Sequence, residues 1–253
     1  MSFSHYGTLC TEVYDLTKPV GHSLGGDIEY YLERLRGCQG RVLEAMVGSG
    51  RVLIPLLEAG IAVDGIDESP VMLASCRSRI EDRGLIAELY EGRLQHMDLP
   101  DRYEAIVIPA GSFLLIASRE ESIQALERLY EHLIPGGRLM LDLFLPGPPL
   151  EVGKTTTSTF TNVVGDTITL EGKLVEVDFI EQIRVSYLKY EKWREGRLVD
   201  TELQRMALRW YGIEEFRAIL EKVGFTDVTV HADFQYGKGP ERGSRSFVFE
   251  AVR

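Results

Sequence analysis

At 253 residues the chain is long enough for one large α/β domain, with or without an insertion, and short for two equal domains. Its formal charge of −11 argues against a nucleic-acid backbone as the main partner, because phosphate contact calls for a basic surface. No apolar run approaches the roughly 20 residues that span a bilayer, Met1–Cys10 is no basic-then-apolar leader, and Cys10, Cys38 and Cys76 form no CxxC or Cys/His cluster. A soluble protein of the reducing cytoplasm, without a metal site, is expected.

Residues 1–40 read as an N-terminal helical segment. Ile28, Tyr31, Leu32 and Leu35 fall on one helical face, behind Gly25-Gly26 and with Asp27 as the expected N-cap. From Arg41 to Pro146, strands alternate with helices. Arg41-Val42-Leu43 is an apolar run ending on Glu44. Gly48-Ser49-Gly50 follows, then a helical stretch Arg51–Ala59, the stop Gly60, and a second strand from Ala62 to Asp67. Ser69–Arg83 is a helix with Ser69 as N-cap and Pro70 at its first position. Ala87–Glu91 and Tyr103–Ile108 are the third and fourth strands. Ile123, Leu126, Leu129, Tyr130 and Leu133 stripe a helix from Arg119, which Pro135-Gly136-Gly137 is expected to end before a fifth strand, Arg138–Leu145. Such alternation implies a parallel sheet covered on both faces.

After Pro146-Gly147-Pro148-Pro149 the pattern changes. Thr155–Tyr211 is rich in Thr, Val, Ile, Tyr and Trp, with turn signals at Val164-Gly165-Asp166 and Arg194–Arg197, and Ile183–Trp193 alternates apolar and polar residues. Residues 150–211 therefore read as an inserted antiparallel β segment with one wet face. A helix Ile213–Val223, closed by Gly224, precedes strands at Phe225–His231 and Ser246–Val252. With no helix between them, these two should form an antiparallel hairpin at the sheet edge.

The ligand is decided by the first turn. Glu44-Ala45-Met46-Val47-Gly48-Ser49-Gly50 lacks the third glycine of a dinucleotide fingerprint and the Gly-Lys-Ser/Thr of a phosphate loop. Two motifs carry a different resemblance. Val42–Arg51 resembles V-L-D/E-x-G-x-G-x-G-R, and Gly65-Ile66-Asp67-Glu68-Ser69-Pro70-Val71-Met72-Leu73 resembles G-hydrophobic-D-x-S-x-x-M-L, the first and second motifs of the class I S-adenosylmethionine-dependent methyltransferases. Pro-Gly-Gly before strand five and Gly224-Phe225 before the hairpin also fit. The resemblance covers about residues 41–146 and 212–252. It implies a doubly wound, Rossmann-like, mostly parallel sheet with an antiparallel edge hairpin, the inserted β segment being an addition within a single methyltransferase domain.

The resemblance also implies roles. Asp67 accepts hydrogen bonds from the cofactor's ribose hydroxyls, a charge-assisted pair. Glu44 lies near its ammonium group and Met72 packs under the adenosine. Gly48 and Gly50 let the backbone approach without a Cβ in the way. Ala45 and Pro109, at the ends of strands one and four, complete the expected cofactor contacts, and in the absence of the family's aspartate after strand three the adenine is expected to be held by the Leu94 backbone and neighbours such as Gln95, or more weakly. Two positions depart from the pattern. Met46 stands where the family has its first glycine. Arg93, in Gly92-Arg93, stands where the family often has an aspartate that accepts from the adenine amino group, and arginine has no acceptor to offer.

Ile108-Pro109-Ala110-Gly111-Ser112-Phe113 is not the N/D-P-P-Y/F motif of DNA and glutamine methyltransferases, which disfavours that class. The insertion before the last helix resembles small-molecule enzymes such as sugar N,N-dimethyltransferases. Methyl transfer to N or O of a small molecule is thus expected. Tyr14 is the candidate catalytic residue, and Tyr31, Phe113, Tyr187, Trp193, Arg209 and Tyr211 are candidate walls for the acceptor. No nucleic-acid or membrane partner is expected, and a dimer through the hairpin or the inserted sheet is compatible with the pattern. A degenerate cofactor-binding module and methylation of RNA or protein stand as alternatives.

Overall fold

The computed structural model describes residues 6–147 and 150–253; Pro148 and Pro149, part of the expected break after strand five, lie outside them, as do residues 1–5 of the N-terminal segment. Five short apolar runs form the parallel strands β1 (Val42–Ala45), β2 (Val63–Asp67), β3 (Leu89–Glu91), β4 (Tyr103–Ile108) and β5 (Leu133–Phe144). The hairpin β10 (Thr226–Ala232) and β11 (Ser246–Val252) completes a sheet of order β10-β11-β5-β4-β1-β2-β3, with β11 antiparallel to both neighbours. The fold class is the expected one. The chain reverses direction across the sheet between β1 and β4, so their carboxyl ends flank the crevice where open α/β sheets bind ligands.

Successive strand residues point to opposite faces, and the buried ones sort accordingly. Leu43, Ile106, Ile108 and Leu141 face one layer, which contains α5 (Arg119–His132) and α6 (Ile213–Val223). Val42, Ala105, Val107 and Met140 face the other, with α2 (Asp27–Leu35), α3 (Leu53–Glu58) and α4 (Pro70–Glu81). Ser69 caps α4 as expected, its hydroxyl accepting from the Met72 amide. No helix among the described residues is long and apolar enough to cross a membrane.

The inserted segment forms a meander of four antiparallel strands, β6 (Thr155–Thr161), β7 (Thr167–Asp178), β8 (Ile183–Arg194) and β9 (Arg197–Arg209). Its inner face buries Ile168 and Tyr190 against Leu9, Cys10 and Val13 of α1 (Thr8–Thr17).

Two local expectations are corrected. Asp27 is not the N-cap of α2: Gly26 is, at φ 100°, and the Asp27 carboxylate, fully buried, instead accepts from Leu24 N and Ile28 N. Pro135-Gly136-Gly137 does not separate α5 from β5. It lies inside β5, where Leu133 pairs with Tyr103 and Arg138 already with Ala105, so the intervening residues bulge out opposite one residue. The bulge is fastened by Gly136 N to Arg253 O and Arg253 N to Gly137 O.

Candidate functional site

A cavity of about 240 Å³ lies at the carboxyl ends of β1, β2 and β3, under β9 of the inserted sheet. The glycine turn forms one wall. Gly48 N donates to Asp67 Oδ2 at 2.9 Å and Ser69 N to Asp67 Oδ1 at 2.9 Å, so the turn and the end of β2 are locked together around one carboxylate. Burial raises the Asp67 pKa while these amides lower it. Met46 holds φ 59°, the left-handed backbone a glycine would supply, so the turn keeps its geometry despite the substitution. Its side chain lines the cavity. Gly50 has a different reason to be glycine: a Cβ there would come within 2.7 Å of Cys76 Sγ on α4.

Beneath the turn sits a buried charged cluster. Arg51 Nη2 lies 2.5 Å from Asp27 Oδ2, and its Nη1 donates to His22 O at 2.7 Å, tying the turn to the start of α2. Arg51 Nε and Glu44 Oε2 are buried without a partner among the described residues. Burial pushes the Glu44 carboxyl up to about 8, with Arg51 opposing the shift and Asp27 and Asp67 adding to it.

Of the residues singled out from sequence, Tyr14, Gly48, Asp67, Met72 and Leu94 are brought together on the cavity wall. Glu44, Ala45, Gly50 and Pro109 lie behind that wall, buried. Tyr14 comes from α1, where burial raises its pKa and Lys18 Nζ sits 4.6 Å above its ring. The other six candidate acceptor walls do not line the cavity. Tyr31 donates to Asp142 Oδ1, Phe113 and Tyr211 stack with Phe216 in the core, Tyr187 is 36% exposed, Trp193 donates to Thr169, and Arg209 binds the Ala117 and Glu181 carbonyls. Aromatic character marked them, but it does not tell which face of a strand or helix they occupy.

Three features escaped sequence reading. Tyr6 lines the cavity beside Tyr14, and burial raises its phenol far above the usual range. Asp142, in the apolar run of β5, accepts from Gly111 N and Tyr31 OH and holds the Ala110-Gly111 turn after β4, where both residues have positive φ. Burial raises it to about 7. An acid inside an otherwise apolar strand was the available signal. Gln204 of β9 reaches into the roof, only 1% exposed, and its Oε1 has no partner among the described residues. Its signal was phase: Glu202, Gln204, Met206 and Leu208 alternate inward on β9, polar at one end.

A seven-stranded sheet of this order with a cavity at its switch point is the methyltransferase fold. Residues 42–137 match the family model described as a methyltransferase domain. The chain is 27% identical over 211 residues to the glycine/sarcosine N-methyltransferase of Aphanothece halophytica, covering 82% of this chain and 74% of that protein. It is 27% identical over 141 residues to the dTDP-3-amino-3,6-dideoxy-alpha-D-glucopyranose N,N-dimethyltransferase of Streptomyces fradiae, 54% of each. The sugar N-methyltransferase KedS8 of a Streptoalloteichus species shares the fold at a TM-score of 0.75 and 20% identity, over 100% of this chain and 97% of that one. These matches mark residues 42–137 as a methyltransferase domain; the chain is an enzyme, and S-adenosylmethionine is its cofactor.

Proposed function

We propose that the chain transfers the methyl group to an amine or hydroxyl of a small molecule held between the cofactor site and β9. The observation that carries this is Gln204: a buried, unpartnered amide oxygen costs free energy unless a donor meets it, and an acceptor bearing N–H or O–H supplies one. A roofed cavity favours small molecules over polymers. The glycine, sarcosine and amino-sugar acceptors named for the relatives are small amines, which supports the same reading.

The residues present fit the cofactor. A carboxylate has about four acceptor sites, so Asp67, on the cavity wall, keeps acceptor capacity for a ribose hydroxyl beyond the amides it already accepts. Glu44 Oε2, orphaned and buried, suits an ammonium group. Gly48 gives close backbone approach, Met72 flanks the adenosine, Leu94 borders the adenine, and Ala45, Gly50 and Pro109 shape the wall from behind. The cofactor supplies a methyl carbon on a sulfonium, open to in-line displacement by the acceptor's lone pair.

The protein's share is alignment. Tyr14 and Tyr6, both held protonated by burial, orient the acceptor rather than take its proton. As N–C or O–C forms and S–C breaks, the acceptor's proton passes to solvent. The unit is read as one methyltransferase domain of the cytoplasm, where the three unpaired cysteines stay reduced.

Calorimetry with S-adenosylhomocysteine tests the cofactor half: Asp67→Ala should lose about 100-fold or more in affinity, two charge-assisted hydrogen bonds' worth. Equal affinity sinks the assignment. Mass detection of methylated products from a panel of amino-sugar nucleotides, glycine and sarcosine, set against tRNA and peptide pools, tests the acceptor half. Transfer confined to the polymers sinks it.

A further inference from the structure

Beyond Asp67, the cavity ends in a charged cluster that none of these roles uses. Arg93 Nε lies 3.2 Å from Glu68 Oε2, and Arg93 Nη2 lies 3.5 Å from Glu121 Oε2. Gln95 completes the set. With its amide turned so that both groups are satisfied, its oxygen lies 3.0 Å from Arg93 Nη2 and 3.1 Å from Nε. Glu68 leaves the end of β2, Arg93 and Gln95 follow β3, and Glu121 sits in the first turn of α5. One guanidinium therefore joins three elements, and all four side chains line the cavity. The same cavity is lined by Gln204, whose buried, unpartnered oxygen calls for a donor from a ligand.

With Asp67 on the ribose, the adenine falls at this end. Its exocyclic amino group donates hydrogen bonds, and Arg93, with donors only, cannot receive them. The carboxylates can. Each places one oxygen toward Arg93 and keeps the other, and the guanidinium offsets the repulsion that two acids would otherwise feel. Resting on the cofactor site described above, we propose that Glu68 and Glu121 accept the adenine amino group and that Arg93 is the positioning residue that holds them in place. The charge order of this subsite is then reversed relative to a single aspartate after β3: a cation at the strand end, and the acids brought to it from β2 and α5.

The test compares S-adenosylhomocysteine with S-inosylhomocysteine, whose 6-oxo group puts an acceptor where the amino donor was. Titration calorimetry on the wild type should show a preference for the amino compound of about tenfold or more, the scale of one unpaired polar group. Arg93→Met should narrow that preference to about threefold or less, because the acids lose their common anchor; Arg93→Lys, keeping the charge without the planar fork, should fall between. Glu68→Leu combined with Glu121→Leu should abolish the preference. A purely structural Arg93 would change both affinities alike and leave their ratio untouched. A wild type that binds both compounds equally, or an Arg93→Met variant that keeps the full preference, overturns the inference while the cofactor site stands. A folded wild type that binds neither overturns the cofactor site and this inference together.

Discussion

Glu44 concentrates the electrostatic cost of the site in one residue. Its carboxyl is raised by burial to about 8, above its ordinary value of 4.5. Between those values the folded protein holds a proton that the unfolded chain has released, so folding becomes more costly as pH rises through the window. Glu44→Gln removes that cost. The cofactor-free variant should exceed the wild type in stability by about 1–3 kcal/mol near neutral pH, and the gain should shrink toward about pH 5; urea melts at several pH values measure it. The same substitution should weaken S-adenosylhomocysteine about tenfold, since an ammonium then meets a neutral amide. In the wild type, binding should release a proton and tighten from about pH 6 to about pH 8 as the carboxylate becomes easier to form. Affinity flat with pH would mean that Glu44 does not meet the ligand's charge. Met46 shows the limit of residue type as a signal. The sequence displays a methionine where glycine is usual, but only the structure shows that the backbone takes the left-handed turn anyway, at about 1–2 kcal/mol.

Between elements, two long-range contacts set where the site's helices lie. Helix α1 has no side-chain cap of its own; instead Glu202 of β9 accepts from Gly7 N at 3.2 Å and Leu9 N at 2.9 Å, supplying an acid to the helix N-terminus from the inserted sheet. Glu202→Ala should cost about 1 kcal/mol and speed hydrogen exchange across Thr8–Thr17. Because α1 carries Tyr14, methyl transfer should slow more than cofactor affinity falls. Unchanged exchange in α1 would refute the cap. The Arg51–Asp27 pair joins the glycine turn to α2 with both partners buried. Asp27→Ala leaves an uncompensated guanidinium and should cost about 3–5 kcal/mol, read as a drop in the urea midpoint; a loss confined to surface-pair scale would mean that water reaches Arg51. Neither contact was legible in sequence. Ser69-Pro70 announces α4 because an N-cap is local chemistry, whereas Asp27 looks like an N-cap until its partner 24 residues away is known.

At the scale of the molecule, the parallel sheet, its edge hairpin and the inserted meander were legible because period, turn residues and two motifs report local backbone state. The placement of the meander over the crevice was not, since alternation in Thr155–Tyr211 separates a wet face from an inner one but does not say what the inner face covers. That placement has a measurable consequence. The cavity is walled by the glycine turn after β1 and by β2, α1 and β9 together, so a ligand that binds it stabilises parts of both sheets at once. S-adenosylhomocysteine at about 100 times its dissociation constant should add about 2.7 kcal/mol to unfolding free energy. Local opening should respond unevenly. Amides of the glycine turn, of α1 and of Gln204–Ala207 should exchange more slowly in the complex, because opening any of them exposes the ligand. Amides of β6 and β7, which do not touch the cavity, should exchange as before. Protection limited to the glycine turn and β2 would show that the inserted sheet does not close over the bound cofactor, and the acceptor would then have to be sought outside the space beneath β9.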